Sequence, residues 1–179
     1  REAMLAEAAR RACAESAAAV AEVVASAPSG QALASMLGAY LSREHLERVD
    51  VGCPLAALGS ETSRQVPEVR RVATRHIKEM IDLIARQSPD WGQPKAHERA
   101  MVTIATMVGA LMLSRAVDEP GLSDSLREAA LKYLVLGGAA TATFLMGASL
   151  LYGGAGSLAL PGFVAALDSP DTMARAAVV

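Results

Sequence analysis

The chain has 179 residues, with 17 basic against 19 acidic side chains and a net charge of −2. That length supports a domain with a real core, and that balance excludes the concentrated basic face that grips a phosphate backbone. The sequence is 52% hydrophobic but only 3% aromatic, so Ala, Leu, Val and Met must fill the interior and few rings remain for stacking on bases.

Residues 1 to about 27 lack Gly and Pro. Leu5, Ala8, Ala12, Ala19 and Val23 recur there at helical spacing, with Glu7, Arg10, Arg11 and Glu22 elsewhere, which predicts an amphipathic helix. The same charges interrupt any apolar leader. Pro28-Ser29-Gly30 ends the helix. A second helix is predicted over roughly 31–48, with Leu33, Leu37, Tyr40 and Leu41 on one side. Gly52-Cys53-Pro54-Leu55 reads as a turn and a helix start, with Pro at the first helical position. A short helix over about 55–63 follows.

Pro67 opens a helix to about residue 86 with an apolar stripe of Val69, Val72, Ala73, His76, Met80, Leu83 and Ile84. Arg70, Arg71, Arg75 and Lys78, interspersed with Glu68, Glu79 and Asp82, read as its solvated face. The run Ser88-Pro89-Asp90-Trp91-Gly92-Gln93-Pro94 is a loop. The helix over 96–117 is uncharged from Ala100 to Ser114, short for a membrane span and expected to be dry on all sides. Asp118-Glu119-Pro120-Gly121 breaks it, and Ser123 is expected to cap a last amphipathic helix with Leu126, Ala130 and Leu131. No segment alternates like a strand, so the fold class is all-α.

The texture changes near Lys132. Beyond it only Asp168, Asp171 and Arg175 are charged, 133–167 is uncharged, and 133–152 is a transmembrane candidate with Tyr133 and Tyr152 at its two ends, where a membrane interface favours them. Two domains are expected: a helical bundle over 1–131 and a membrane-like apolar tail over 132–179, for which a membrane is a partner. The chain opens on Arg and stops at Ala-Val-Val, and is expected to be an internal piece of something longer.

Candidate site residues come from the first domain. His76 lies on an apolar face between Val72 and Met80 and reads either as a core histidine or as the polar anchor of a ligand pocket. Met36, Tyr40, Met80, Met107 and Cys53 are expected around the same space. Methionine adapts to varied shapes, which suits a promiscuous site and an ordinary core alike. Cys53, next to a helix start, is a small turn residue or a sensor thiol, whereas Cys13 reads as packing. The two cysteines make no disulfide framework and suit a reducing cytoplasm. His45, His76 and His97 share no ligand spacing, so no metal is expected. Gly153-Gly154-Ala155-Gly156 lacks the Lys-Ser/Thr of a phosphate loop. With no paired acid and base, neither enzyme activity nor a cofactor is expected. The uncharged helix, through Ile104, Val108, Gly109, Leu111 and Met112, is expected to form a homodimer face with Leu126.

Several strings resemble the C-terminal domain of TetR/AcrR transcriptional regulators. They are Glu2-Ala3-Met4-Leu5, Gly52-Cys53-Pro54-Leu55-Ala56-Ala57-Leu58, Pro67-Glu68-Val69-Arg70, and the run from Gly109 through Ser114-Arg115-Ala116-Val117-Asp118 to Leu122-Ser123. The resemblance covers about 1–131. It implies a TetR-type helical bundle that binds a small hydrophobic ligand and dimerises through its last two long helices. Operator DNA would be read only by a helix-turn-helix head, which is missing before Arg1. Ligand binding would release the full-length repressor from DNA, in the cytoplasm.

The tail resembles a different family. Lys132-Tyr133-Leu134-Val135-Leu136-Gly137-Gly138, Phe144-Leu145-Met146-Gly147 and Leu150-Leu151-Tyr152-Gly153 are similar to a membrane helix of subunit N of bacterial NADH–quinone oxidoreductase. That resemblance covers about 129–179 and implies an inner-membrane segment. It matches Lys132 to a lysine involved in proton movement, which would need a partner or a water cavity. The alternative reading of the chain is therefore a fragment of that proton-translocating enzyme. Two gene fragments misjoined near Glu128-Ala129-Ala130-Leu131-Lys132 would account for both resemblances.

Overall fold

The computed structural model describes residues 2–88, 91–155 and 161. Among them there are helices and no strands: α1 (Glu2–Ser26), α2 (Ala32–Tyr40), α3 (Arg43–Glu47), α4 (Pro54–Thr62), α5 (Pro67–Arg86), α6 (Pro94–Ala116) and α7 (Pro120–Ala155). Contacts divide the chain into two compact units, Arg1–Leu134 and Val135–Val179.

In the first unit α1 packs on α5 and α2, α5 on α6, and α4 against α1, α5 and α6. Proline sets the first turn of α4, α5 and α6, where its missing N–H would have had no helical partner. Gly30, at φ +76, lets the chain leave α1 through a left-handed turn. α5 buries Val69, His76, Met80, Ile81, Ile84 and Ala85, and α6 buries Ala100, Ile104, Met107, Leu111 and Ser114, both at helical spacing. Met80, Ile81, Ile84 and Ala85 of α5 and Ala100, Ile104, Met107 and Leu111 of α6 form one apolar core with Met36, Leu37, Tyr40 and Leu41. Each large apolar side chain buried this way contributes about 1.5–3 kcal/mol.

The structure departs from the sequence reading in three places. First, the second helix is two. Ser42 breaks it by accepting the His45 N–H (3.1 Å) as N-cap of α3. Second, the buried stripe of α1 is Ala6, Cys13 and Ser16, while Leu5 is 45% exposed. In an alanine-rich helix the contrast between faces is too weak to fix the phase. Third, Ser123 is no cap. α7 begins at Pro120, and Ser123 is buried inside it, its hydroxyl donating to Ser114 O (2.8 Å) while the Ser114 hydroxyl donates to Ser123 O (3.1 Å). α6 is not covered all round by its own chain. Its length and hydropathy match those of a membrane span and one stripe packs in the core, but Val102 and Leu113 stay 57% and 55% exposed.

α7 continues past Lys132 without a break. Lys132 is exposed and pairs at 2.9 Å with Glu128, one turn back. In the second unit, 135–155 are helical and Phe144, Met146 and Tyr152 are exposed. The loop residues Pro89 and Asp90, and the tail over 156–160 and 162–179, lie outside the described residues.

Candidate ligand-binding site

The six side chains expected around a pocket come from four places: Met36 and Tyr40 on α2, Cys53 as N-cap of α4, His76 and Met80 on α5, and Met107 on α6. All are buried, none more than 4% exposed. Met36, Tyr40 and Cys53 meet at a cavity of about 140 Å³, whose walls also include Ser16, Val20 and His45. His76, Met80 and Met107 are not among its walls. That volume is well below the roughly 300–1,000 Å³ of drug-sized sites, so a larger ligand needs the core to open.

Two polar groups in this core lack a partner. Both ring nitrogens of His76, 1% exposed, make no hydrogen bond, and neither does the Tyr40 hydroxyl. An unsatisfied buried polar group costs about 1–3 kcal/mol. Burial lowers the His76 pKa from 6.5, opposed by Glu79, so the imidazole is neutral. Burial, with the Cys53 thiol next, raises the Tyr40 pKa above its ordinary value. The phenol stays protonated beside the Cys53 sulfur, outside hydrogen-bonding geometry. Cys13 is pushed up to about 11 by burial, then by Cys53 and Glu79, which makes it an inert thiol.

The turn at Gly52 is built on His45, which no pattern in the chain singles out for this. His45 Nδ1 lies 2.7 Å from Tyr40 O, and the Cys53 N–H donates to Nε2 at 3.0 Å. The ring is therefore a neutral Nδ1–H tautomer tying the end of α2 to the start of α4. A Cβ on Gly52 would stand 2.7 Å from His45 Nε2 and 2.9 Å from Arg48 O, so the glycine is there for close approach. Burial lowers the His45 pKa, the Tyr40 carbonyl opposing and Arg115 assisting.

Two arginines bind the same region from the last helices. Arg115 on α6 donates to His45 O (2.6 Å) and Leu46 O (3.2 Å). Arg127 on α7 donates to Leu41 O (2.9 Å) and to Asp124. Neither was foreseen, because arginine on a helix usually reads as a solvated residue.

Of the expected dimer residues, Leu111 is 0% and Ile104 7% exposed. Both belong to the chain's own core, and Leu111 has no surface to offer a partner. The uncharged helix does not reveal which stripe turns inward. Ile104, Val108, Gly109 and Met112 line an open groove between α4, α5 and α6, and Leu126 is half-buried on α7.

The sequence profile of the C-terminal domain of LmrA/YxaF-like transcriptional regulators matches residues 29–130, more than half of the chain. The chain belongs to this TetR-type regulator family. The match takes in all six core side chains named above, together with His45, Arg115 and Arg127. The chain is also similar to quinone oxidoreductase subunits. It is 32% identical over 140 residues to an NAD(P)H-quinone oxidoreductase subunit 2 of Synechococcus sp. (strain WH7803), covering 64% of the chain and 27% of that relative. It is 36% identical over 103 residues to the subunit 2 of Prochlorococcus marinus (strain MIT 9303), covering 46% of the chain and 20% of that relative. It is 58% identical over 41 residues to an NADH-quinone oxidoreductase subunit N of Rhodococcus opacus (strain B4), covering 23% of the chain and 8% of that relative. The chain thus spans about a quarter or less of these relatives' length. They support the resemblance of the tail. The 64% share exceeds what lies outside 29–130, so that match overlaps the regulator domain.

Proposed function

We propose that this regulator domain binds a small hydrophobic effector in the core around Tyr40 and His76, and that binding is passed to operator DNA through a separate helix-turn-helix domain. What supports this is the pair of polar groups left without protein partners among Met36, Met80 and Met107. A ligand that opens the core and carries hydrogen-bonding groups would satisfy them, and the methionines would adjust around its apolar body. The role is binding and needs no catalysis, and its setting is the cytoplasm. Thermal-shift screening of the full chain tests it. A ligand that binds the folded form raises the melting temperature, and His76→Leu with Tyr40→Phe should remove that response. A hit that survives both substitutions would falsify the core as its site.

The domain works as a homodimer in this reading. Val102 and Leu113 are exposed on α6, and Gly109 lies on the same stripe, letting a partner helix come close; Leu122 and Leu126 extend the surface on α7. Sedimentation should give a dimer, and Leu113→Glu a monomer. A wild-type monomer at micromolar concentration rejects the interface.

The second reading, a membrane-subunit fragment, is favoured by the tail's relatives. Ultracentrifugation without detergent separates the two: a full chain left in the supernatant rules it out. Long-read sequencing of the source DNA across Leu131 tests the misjoining, which one uninterrupted reading frame would refute.

A further inference from the structure

We propose that the groove between α4, α5 and α6 is a second binding site, distinct from the core, for a linear aliphatic molecule with a carboxylate head held at Arg70. The groove encloses about 710 Å³, within the range of small-molecule sites. Its α5 wall is Arg70, Thr74, Ile77 and Ile81, spaced along one helical stripe of about 16 Å. α6 follows after a short connection and packs back along α5, bringing Ile104, Val108 and Met112 opposite. The Ile81 end is apolar. The Arg70 end also carries Thr62 and Ser63 from the end of α4.

The polarity of that end favours an anion. No acidic residue lines the groove. Arg71 is bound to Glu68 at 2.5 Å and Arg64 to Glu61 at 3.8 Å, while Arg70 has no ion pair among the described residues. It stands in the first turn of α5, whose N-cap, Val66, supplies no side-chain acceptor, so the positive end of the helix adds to it. The hydroxyls of Thr62, Ser63 and Thr74 donate to carbonyls of their own helices and can turn to a ligand oxygen. The apolar length is unfilled: a Cβ on Gly109 would meet nothing within 4 Å, and one on Gly59 only the end of Met112 at 3.9 Å. A second copy is the poorer occupant. A two-fold contact sets like walls against each other, so Arg70 would face a surface without an acid.

Calorimetric titration of the full chain with dodecanoate, below its micellar concentration, tests this. Dodecanoate should bind and weaken by about fivefold in Arg70→Gln, while dodecyltrimethylammonium, the same tail with the opposite head, should bind less well than dodecanoate. Gly59→Phe, which fills the groove, should abolish binding with helicity unchanged by circular dichroism; if it fails to fold, the headgroup comparison and Arg70→Gln decide. His76→Leu should leave dodecanoate binding as it is. Loss in His76→Leu places the molecule in the core and overturns the groove. So does equal binding of the two headgroups, full binding by Gly59→Phe, or no binding by the wild type. Because core ligands and dodecanoate answer to different substitutions, failure of this site leaves the effector reading standing, and the reverse.

Discussion

At the scale of single residues, the histidines carry the sharpest consequences. His76 has no partner for either nitrogen, so His76→Leu should raise the stability of the ligand-free protein by about 1 kcal/mol, read as a higher urea midpoint. A lower midpoint would mean the ring has a partner in solution. His45 and His76 are both held neutral when folded, with pKa values below 6.5. Unfolding restores the ordinary value, so below 6.5 the unfolded chain binds more protons. Their contribution to stability is whole above pH 6.5 and is lost as pH falls through the depressed folded values. Urea midpoints compared at about pH 7.5 and pH 5 should drop at the acid end, and by less in His45→Gln/His76→Leu. His76 was legible in the sequence, since a histidine between Val72 and Met80 at helical spacing has to face the core. The bonds of His45 were not, because they depend on two chain segments meeting across a turn.

Among the elements, the Gly52–Pro54 turn shows how far pattern goes. Gly and Pro announced the turn and the start of α4, and both are where expected. What they did not announce is why the glycine is needed, which is the imidazole against its Cα. Gly52→Ala should therefore cost about 1–3 kcal/mol by forcing that ring aside. His45→Ala should relieve part of the cost, so the double variant is less destabilised than the sum; strict additivity in melting temperatures would reject the contact. α5 was readable in its bounds and in Val69, His76, Met80 and Ile84 because its charged and apolar residues alternate at the helical period, while the buried Ile81 and Ala85 fell outside the expected stripe. α6 was readable as a helix but not in its orientation, since an uncharged run from Ala100 to Ser114 gives no sign of which stripe faces in. That is why Leu111 was expected at a partner's surface and lies in the core. The tight pairing of Ser114 with Ser123 was likewise hidden, serine being the ordinary residue at a helix start.

For the whole molecule, the division at Leu134/Val135 lies close to the loss of charge after Lys132. A chain truncated after Leu134 should keep the ligand-free unfolding transition of the regulator domain and stay in solution without detergent. Collapse of that transition would show that the tail is part of the fold. The arginine contacts bear on how such a domain changes over time. Arg115 and Arg127 grasp Leu41, His45 and Leu46 by their main-chain oxygens, and every amino acid supplies that oxygen. Side chains from Met36 to Leu46 can then be rewritten toward a new effector while the mechanical tie from that stretch to the last two helices is inherited unchanged. Arg115 itself has no such latitude, since lysine lacks the fork that spans its two carbonyls.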